Sequence, residues 1–216
     1  FYSRNGELHG VSLFDVSGHG IAPGLLTLLA RSVVHNEFSA GSDLRLAQVI
    51  ERANRTLVRE LDAIDNYLTG IILRFTHNRV EYVNAGHPDL LVRRASSGEV
   101  LKVEPRDREF KGQFLGIAAL EGKFTTAVFN MMKNDILVLY TDGLIETRNA
   151  AGEEYGVERL EHSLASVEPS LGANDITARL MADFNAFIDP RYLKDDLTLV
   201  AVRRSGDAEW SRDYAI

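Results

Sequence analysis

Cysteine is absent from the 216 residues, and this absence excludes several chemistries at once. The chain cannot carry a disulfide framework, a thiolate metal site or a cysteine nucleophile. A chain of this length can bury a large core without covalent cross-links, so the lack of disulfides does not limit the fold. Because nothing in the sequence points to secretion, a reducing cytoplasm is the expected compartment.

An excess of basic residues is also lacking, since 24 Lys and Arg stand against 31 Asp and Glu for a net charge of −7. Nucleic-acid binders need a basic surface, so no nucleic-acid partner is expected. No apolar run approaches the roughly 20 residues that span a bilayer. The longest runs, such as Ile136 to Tyr140, have the length of a strand. We therefore expect no membrane insertion.

Internal repeats, low-complexity tracts and linkers are missing as well, which indicates one domain, residues 1–204, followed by a tail, residues 205–216. Its strands fall in hairpin-length clusters, which favour antiparallel sheets with helices packed outside over a doubly wound parallel fold. The predicted strands are Leu8–Val16, Leu68–Phe75, Val80–Asn84, Leu90–Arg93, Val100–Val103, Lys123–Phe129, Ile136–Thr141 and Leu197–Val202. The predicted helices are Gly24–Phe38, a helix capped by Asp43 that runs to Leu61, Tyr155–Ser166 and Asn174–Ile188. The polar stretch Lys102 to Lys111 is predicted to be a loop.

The first predicted helix carries two apolar stripes, which indicates burial on two sides. One stripe consists of Leu25, Leu28, Leu29 and Val33. The other consists of Leu26, Ala30 and Val34. We expect this helix and its successor to form a regulatory or dimer interface, with the second stripe facing the partner.

Aspartates stand at the ends of three apolar strands. Asp15 ends the first strand, Asp142 follows Ile136 to Thr141, and Asp195-Asp196 precede the last strand. Carboxylates gathered at a sheet rim repel one another, and a divalent cation relieves that repulsion. Mg²⁺ and Mn²⁺ prefer such oxygen ligands, and a pair of these ions suits hydrolysis of a phosphate ester.

Each aspartate also has a structural explanation. An aspartate before glycine is a common turn former, and Asp195-Asp196 can discourage edge pairing by their charge. Spacing alone does not show that the three strand ends meet, so both readings stay open at this point.

Four motifs in order carry a family resemblance. They are Asp15-Val16-Ser17-Gly18-His19-Gly20, Asn84-Ala85-Gly86-His87-Pro88, Tyr140-Thr141-Asp142-Gly143-Leu144-Ile145-Glu146 and Asp195-Asp196-Leu197-Thr198. Together they resemble the SpoIIE/RsbU family, a bacterial branch of the type-2C metal-dependent protein phosphatases, over about Gly6 to Arg204.

The resemblance implies an α+β fold, a four-layer α-β-β-α sandwich of two antiparallel sheets flanked by helices. It implies two Mn²⁺ or Mg²⁺ ions, with Asp15 bridging them and Val16 offering its backbone carbonyl. Asp142 and Asp195 would bind the second ion. Asp195 matches the first position of the final family motif and is preferred to Asp196, although a one-residue shift would exchange them.

The resemblance also implies a further metal-binding aspartate, in a Gly-Gly-Asp segment of a first strand upstream of residue 1. His19 has a pKa suited to protonating a leaving serine oxygen, with packing near the helix start as the alternative. Ser17 stands nearer to the position of the histidine that eukaryotic relatives use. His87 is expected to fix a turn beside the site.

The implied function is hydrolysis of phosphoserine or phosphothreonine by a metal-activated water, with Asp15, Asp142 and Asp195 holding the ions. The implied substrate is a STAS-type anti-sigma-factor antagonist, regulated by an upstream sensory or receiver domain. A homodimer through helices 24–38 and 43–61 is the expected self-association. Two alternatives remain: a catalytically silent phosphatase-fold binding module used in partner switching, and a hydrolase of small phosphate esters.

Overall fold

The computed structural model describes residues 1–4, 6–18, 21–61, 66–103, 113–117, 123–193, 195–206 and 214–215. His19 and most of the predicted loop Lys102 to Lys111 lie outside these ranges. The chain divides into two compact units, which are Phe1–His87 with Pro105–Asn130 and Pro88–Glu104 with Met131–Ile216.

The described elements alternate short runs of strands with helices. The strands are Tyr2–Arg4 (β1), Glu7–Val16 (β2), Leu68–Thr76 (β3), Arg79–Ala85 (β4), Leu91–Arg93 (β5), Val100–Lys102 (β6), Ala127–Asn130 (β7), Ile136–Tyr140 (β8), Leu199–Arg203 (β9) and Tyr214–Ala215 (β10). The helices are Ile21–Ala40 (α1), Leu46–Leu61 (α2), Asp142–Glu146 (α3), Gly156–Ala165 (α4) and Ala173–Phe187 (α5), with a 3₁₀ turn at Pro190–Tyr192.

The sheet of the first unit has the order β1-β2-β3-β4-β7, and all its neighbouring strands are antiparallel. Side chains alternate between the two faces of β2. Phe14 and Val16 pack against the hydrophobic cluster that α1 and α2 build on one face. Val11, Leu13 and Asp15 therefore share the opposite face.

Helix α2 follows its predicted amphipathic pattern. The predicted apolar face is buried in the core of the first unit, and it consists of Leu46, Ile50, Ala53, Leu57 and Leu61. Arg52, Arg55 and Arg59 on the other side are exposed. Burial of one face against a sheet and a neighbouring helix accounts for the stability of this helix.

Within this chain, helix α1 is buried on one side. Leu26, Ala30 and Val34 belong to the core and are at most 6% exposed. Leu25 and Leu28 on the other stripe are 62% and 60% exposed. The stripe that was expected to face a partner is therefore the core face, and the available apolar surface is formed by Leu25 and Leu28.

The predicted cap of α2 is also wrong. Asp43 lies three residues before the helix and accepts a hydrogen bond from the Ser42 hydroxyl at 3.5 Å. Side chains satisfy two backbone N–H groups at the helix start instead, because Arg45 N–H donates to Gln48 Oε1 and Ala47 N–H donates to Thr126 Oγ1. The partner at Thr126 is 79 residues away in sequence, so local pattern could not indicate it.

The sheet of the second unit has the order β10-β9-β8-β5-β6, again with antiparallel neighbours. All five residues of β8 are buried, which explains its unbroken apolar run. Alternate residues of β8 and β9 pack against α4 and α5, whose inward residues include Leu160, Ile176 and Phe184.

The α+β class with two antiparallel sheets and helices is confirmed. Several boundaries differ from the prediction. Lys123 to Thr126 precede β7 rather than belonging to it, and the expected tail contains β10, which pairs with β9. No helix among the described residues is long and apolar enough to cross a membrane.

Candidate active-site residues

Asp15 is the penultimate residue of β2, and its side chain is half-buried. Its partner across the ladder is Thr69 of β3. Residues directly opposite on antiparallel strands project from the same face, so Asp15 and Thr69 are cross-strand neighbours. The carboxylate is thus carried on a strand end, on the face away from α1 and α2.

The Val16 carbonyl points away from β3. The N–H of the same peptide group, that of Ser17, donates to Tyr67 O at 3.0 Å. In a trans peptide the carbonyl and N–H point in opposite directions, and the described part of the chain has no cis peptide. The Val16 carbonyl is therefore directed away from Tyr67, to the other side of β2.

Ser17 fixes the turn that follows β2. Its hydroxyl accepts the Tyr67 N–H at 3.0 Å, and its carbonyl accepts from Asn66 Nδ2 at 2.6 Å. Gly18 then adopts a φ of +89°, in the left-handed region that favours glycine. Ser17 thus has a structural role, and the predicted role of His19 lies outside the described residues.

His87 is 3% exposed and follows β4 by two residues. The Asn84 side chain holds both polar groups of the His87 backbone, accepting its N–H at 2.8 Å and donating to its carbonyl at 2.9 Å. Nδ1 of His87 lies 2.9 Å from Oγ1 of Thr69. The turn is therefore linked to the residue opposite Asp15.

In the second unit, Asp142 and Asp195 come to the same end of the sheet. Asp142 follows β8, and Asp195 precedes β9, which is antiparallel to β8 with Tyr140 opposite Leu199. Thr141 joins the two segments: its hydroxyl donates to Asp196 O at 3.0 Å and accepts the Thr198 N–H at 2.9 Å. The fold thus brings together two aspartates that are 53 residues apart in sequence.

Gly143 permits the close approach of these segments. A Cβ at this position would lie 2.6 Å from the Asp196 carbonyl oxygen and 3.4 Å from Cβ of Asp195. The first distance is too short for any side chain, so only glycine allows the start of α3 to pack here.

The two aspartates share a local hydrogen-bond pattern. Oδ1 of Asp142 accepts the Gly143 N–H at 3.0 Å, and Oδ1 of Asp195 accepts the Asp196 N–H at 2.8 Å. Within the described part of the chain, Oδ2 of each has no hydrogen-bond partner. Each carboxylate therefore keeps an oxygen with which it can bind a cation.

Negative charge accumulates at this strand end. The pKa of Glu146 is raised, first by burial and then by the charges of Asp142, Glu154 and Asp195. Such an environment favours a cation. The described residues contain no ready group of three or more metal-binding side chains. The carboxylate donors nevertheless suit hard divalent ions such as Mg²⁺ and Mn²⁺.

Sequence reasoning missed Thr141 and Thr69. Thr141 is 3% exposed at the end of a strand whose other residues are all apolar, and a polar residue there signals an internal hydrogen-bond partner. Thr69 carried no comparable signal, because threonine is common in strands.

The arrangement of sheets and helices is that of PP2C-type phosphatase domains. The SiaA PP2C domain of Pseudomonas aeruginosa matches with a TM-score of 0.78 and 16% identity, covering 94% of this chain and 78% of that one. The RsbU and RsbW domains of a Mycobacterium tuberculosis protein match with a TM-score of 0.68 and 24% identity, covering 91% and 51%. The catalytic domain of the phosphatase PstP, solved with two manganese ions, matches with a TM-score of 0.62 and 17% identity, covering 89% and 86%.

Residues 6–205 match the family model of Stage II sporulation protein E (SpoIIE), and the chain belongs to this family. Two relatives from Bacillus subtilis are named phosphoserine phosphatases. RsbP is 25% identical over 151 residues, which are 68% of this chain and 35% of RsbP. RsbU is 23% identical over 209 residues, which are 94% of this chain and 58% of RsbU. The chain thus spans only part of the length of both relatives.

Proposed function

We propose that this chain is a metal-dependent serine/threonine phosphoprotein phosphatase. The proposal depends above all on the pairing of Asp142 with Asp195 at one sheet end, in a chain of the SpoIIE family. Two Mn²⁺ or Mg²⁺ ions would be held by Asp15, the Val16 carbonyl, Asp142 and Asp195. When bound, such ions supply Lewis-acid activation of water and screening of phosphoryl oxygens.

The reaction is a hydrolysis without a phosphoenzyme. A water oxygen forms the new bond to phosphorus, the bond from phosphorus to the serine or threonine oxygen breaks, and a proton passes to that leaving oxygen. Asp142 and Asp195 would bind an ion through Oδ2, since Oδ1 of each accepts the next backbone N–H. Support for Asp195 over Asp196 comes from the raised pKa of Glu146, to which Asp142 and Asp195 contribute.

The proposed substrate is a phosphorylated STAS-type anti-sigma-factor antagonist. The names of RsbP and RsbU support phosphoserine as the group that is hydrolysed, and the neighbour that joins RsbU and RsbW domains supports a regulatory protein partner. We also propose control by an upstream sensory or receiver domain, and self-association through α1 and α2. The exposed Leu25 and Leu28 are the apolar side chains of α1 that support the latter.

The test is phosphate release from a phosphorylated STAS protein with and without Mn²⁺, beside a chromogenic phosphate ester. We expect release from the protein substrate to require the metal. Asp15→Asn and Asp142→Asn should each lower the rate at least 100-fold, since removal of a group central to charge stabilisation has effects of about 10²–10³. Exposed Glu168→Gln is the matched control for loss of one carboxylate and should keep the parent rate.

Three results would count against the proposal. Release from the chromogenic ester alone would favour a small-ester hydrolase. Binding of the STAS protein without release of phosphate from either substrate would favour a silent binding module. Dephosphorylation by Asp142→Asn at the parent rate would refute the assigned site.

A further inference from the structure

Thr69 is the side chain that flanks Asp15 across the β2–β3 ladder. Directly opposed residues have Cβ atoms about 4.5–5.5 Å apart, close enough for one side chain to limit the rotamers of the other. Thr69 is half-buried, and its hydroxyl lies 2.9 Å from Nδ1 of His87. Any contact that fixes the Thr69 side chain therefore also limits the rotamers open to Asp15.

A buried polar network ends on Thr69. Asn84 donates through Nδ2 to the Tyr82 hydroxyl and to the His87 carbonyl, each at 2.9 Å, and accepts the His87 N–H at 2.8 Å. Gly86 directly follows β4 and has a φ of +73°, in the left-handed region, and a bridge joins it to Gly70 beside Thr69. These contacts fix the His87 backbone and so direct its ring to Thr69.

Burying this polar network costs more free energy than burying an apolar turn would. Asn84 and His87 are 4% and 3% exposed, and burial of such polar groups is unfavourable unless they are hydrogen-bonded. Fully bonded networks of this kind make a region rigid. Threonine has few χ1 rotamers, so a bond at Oγ1 also fixes its methyl group. The network thus fixes both substituents of the side chain next to Asp15.

We propose that Thr69 and His87 are positioning residues that hold the Asp15 carboxylate in its metal-binding orientation. The inference rests on the proposed function, because it assumes that Asp15 binds a divalent ion. Groups that orient a metal ligand typically change metal affinity about 10- to 100-fold when they are removed. Neither residue needs to touch substrate.

Thr69→Val tests the proposal, since it keeps the side-chain shape and removes the hydroxyl. Mn²⁺ binding is measured by titration calorimetry in the absence of substrate, and turnover is measured separately against Mn²⁺ concentration. We expect the Kd for Mn²⁺ to rise at least tenfold, with kcat at saturating metal nearly unchanged. Thr69→Ser, which keeps the hydroxyl, should restore parent affinity.

Thr126→Val is the matched control. Thr126 is also half-buried, and its hydroxyl accepts the Ala47 N–H at 2.9 Å at the start of α2. This change should lower thermal stability and leave Mn²⁺ affinity intact. His87→Ala should weaken Mn²⁺ binding as Thr69→Val does, and the double variant should be no weaker than the weaker single variant, because the two residues act as one unit.

The outcomes separate this inference from the proposed function. If the parent protein binds Mn²⁺ and Thr69→Val binds it equally well, the pair is only structural and the inference is wrong. A fall in kcat at unchanged Mn²⁺ affinity would place Thr69 in substrate contact instead and would also overturn it. If the parent protein does not bind Mn²⁺, both the inference and the proposed function fail.

Discussion

Gly143 sets the distance between the Asp142 and Asp195 segments. A Cβ would lie 2.6 Å from the Asp196 carbonyl oxygen, a backbone atom that cannot move away alone. Gly143→Ala should therefore displace Asp195-Asp196 and weaken Mn²⁺ binding about 10- to 100-fold, as loss of ligand orientation does elsewhere. Overpacking should also cost about 1–3 kcal/mol of stability. Calorimetry with Mn²⁺ and thermal unfolding measure the two effects.

Gly24→Ala is the control for this change. A Cβ at Gly24 meets nothing within 4 Å, and the residue lies exposed in α1. The same substitution should raise stability by about 0.5–1 kcal/mol there. Equal Mn²⁺ affinity in Gly143→Ala and Gly24→Ala would show that the approach of the two segments does not matter for metal binding.

At single residues, sequence motifs pointed to the proposed ligands Asp142 and Asp195 but not to the residues that surround them. Asp142 and Asp195 stood out because carboxylates at strand ends are costly without a purpose. Their proximity could be expected once β8 and β9 were antiparallel neighbours. Thr69 was not identified, because its importance comes from a pairing with Asp15, 54 positions earlier, and from a turn at His87. Register across strands is a tertiary property that local pattern does not contain.

Among the elements, α1 has two apolar stripes, of which one is buried in the core. Leu26→Ala should cost about 2–5 kcal/mol, because Leu26 is 6% exposed within the core cluster. Leu25→Ala, one residue away and 62% exposed, should stay within about 0.5 kcal/mol of the parent. Chemical denaturation measures both. A larger loss at Leu25 than at Leu26 would reverse the assignment of the faces.

The periodicity of α1 predicted a helix but not its orientation. Both stripes are apolar, so a helical pattern alone gives no reason to prefer either. The choice depends on β2 and β3, whose Phe14, Val16 and Leu68 contribute to the cluster that Leu26, Ala30 and Val34 complete. Helix α2 has one apolar and one charged face. Its orientation was therefore predicted correctly from sequence, because only the apolar face gains from burial.

At the scale of the whole molecule, metal binding should raise the stability of the folded protein and therefore its Tm. A ligand that binds only the folded chain stabilises it by about 2.7 kcal/mol at 100 times its Kd. In a protein of this size that corresponds to a rise in Tm of roughly 5–10 °C. Asp142→Asn should reduce the rise strongly, while the hydrogen bond from the Gly143 N–H can persist to the amide oxygen.

Without metal, Asp142→Asn should not lower the Tm. Asp142 and Asp195 both raise the pKa of Glu146, so the metal-free strand end carries repulsion that folding must overcome. Asp142→Asn should then leave the metal-free Tm unchanged or higher, whereas Glu168→Gln should alter neither the metal-free Tm nor the Mn²⁺ response. A metal-free Tm that falls together with the Mn²⁺ response would indicate that Asp142 serves folding rather than metal binding. A Tm that is unchanged or higher without metal, together with a smaller rise in Tm on adding Mn²⁺, would show that the carboxylates are brought together to bind a cation.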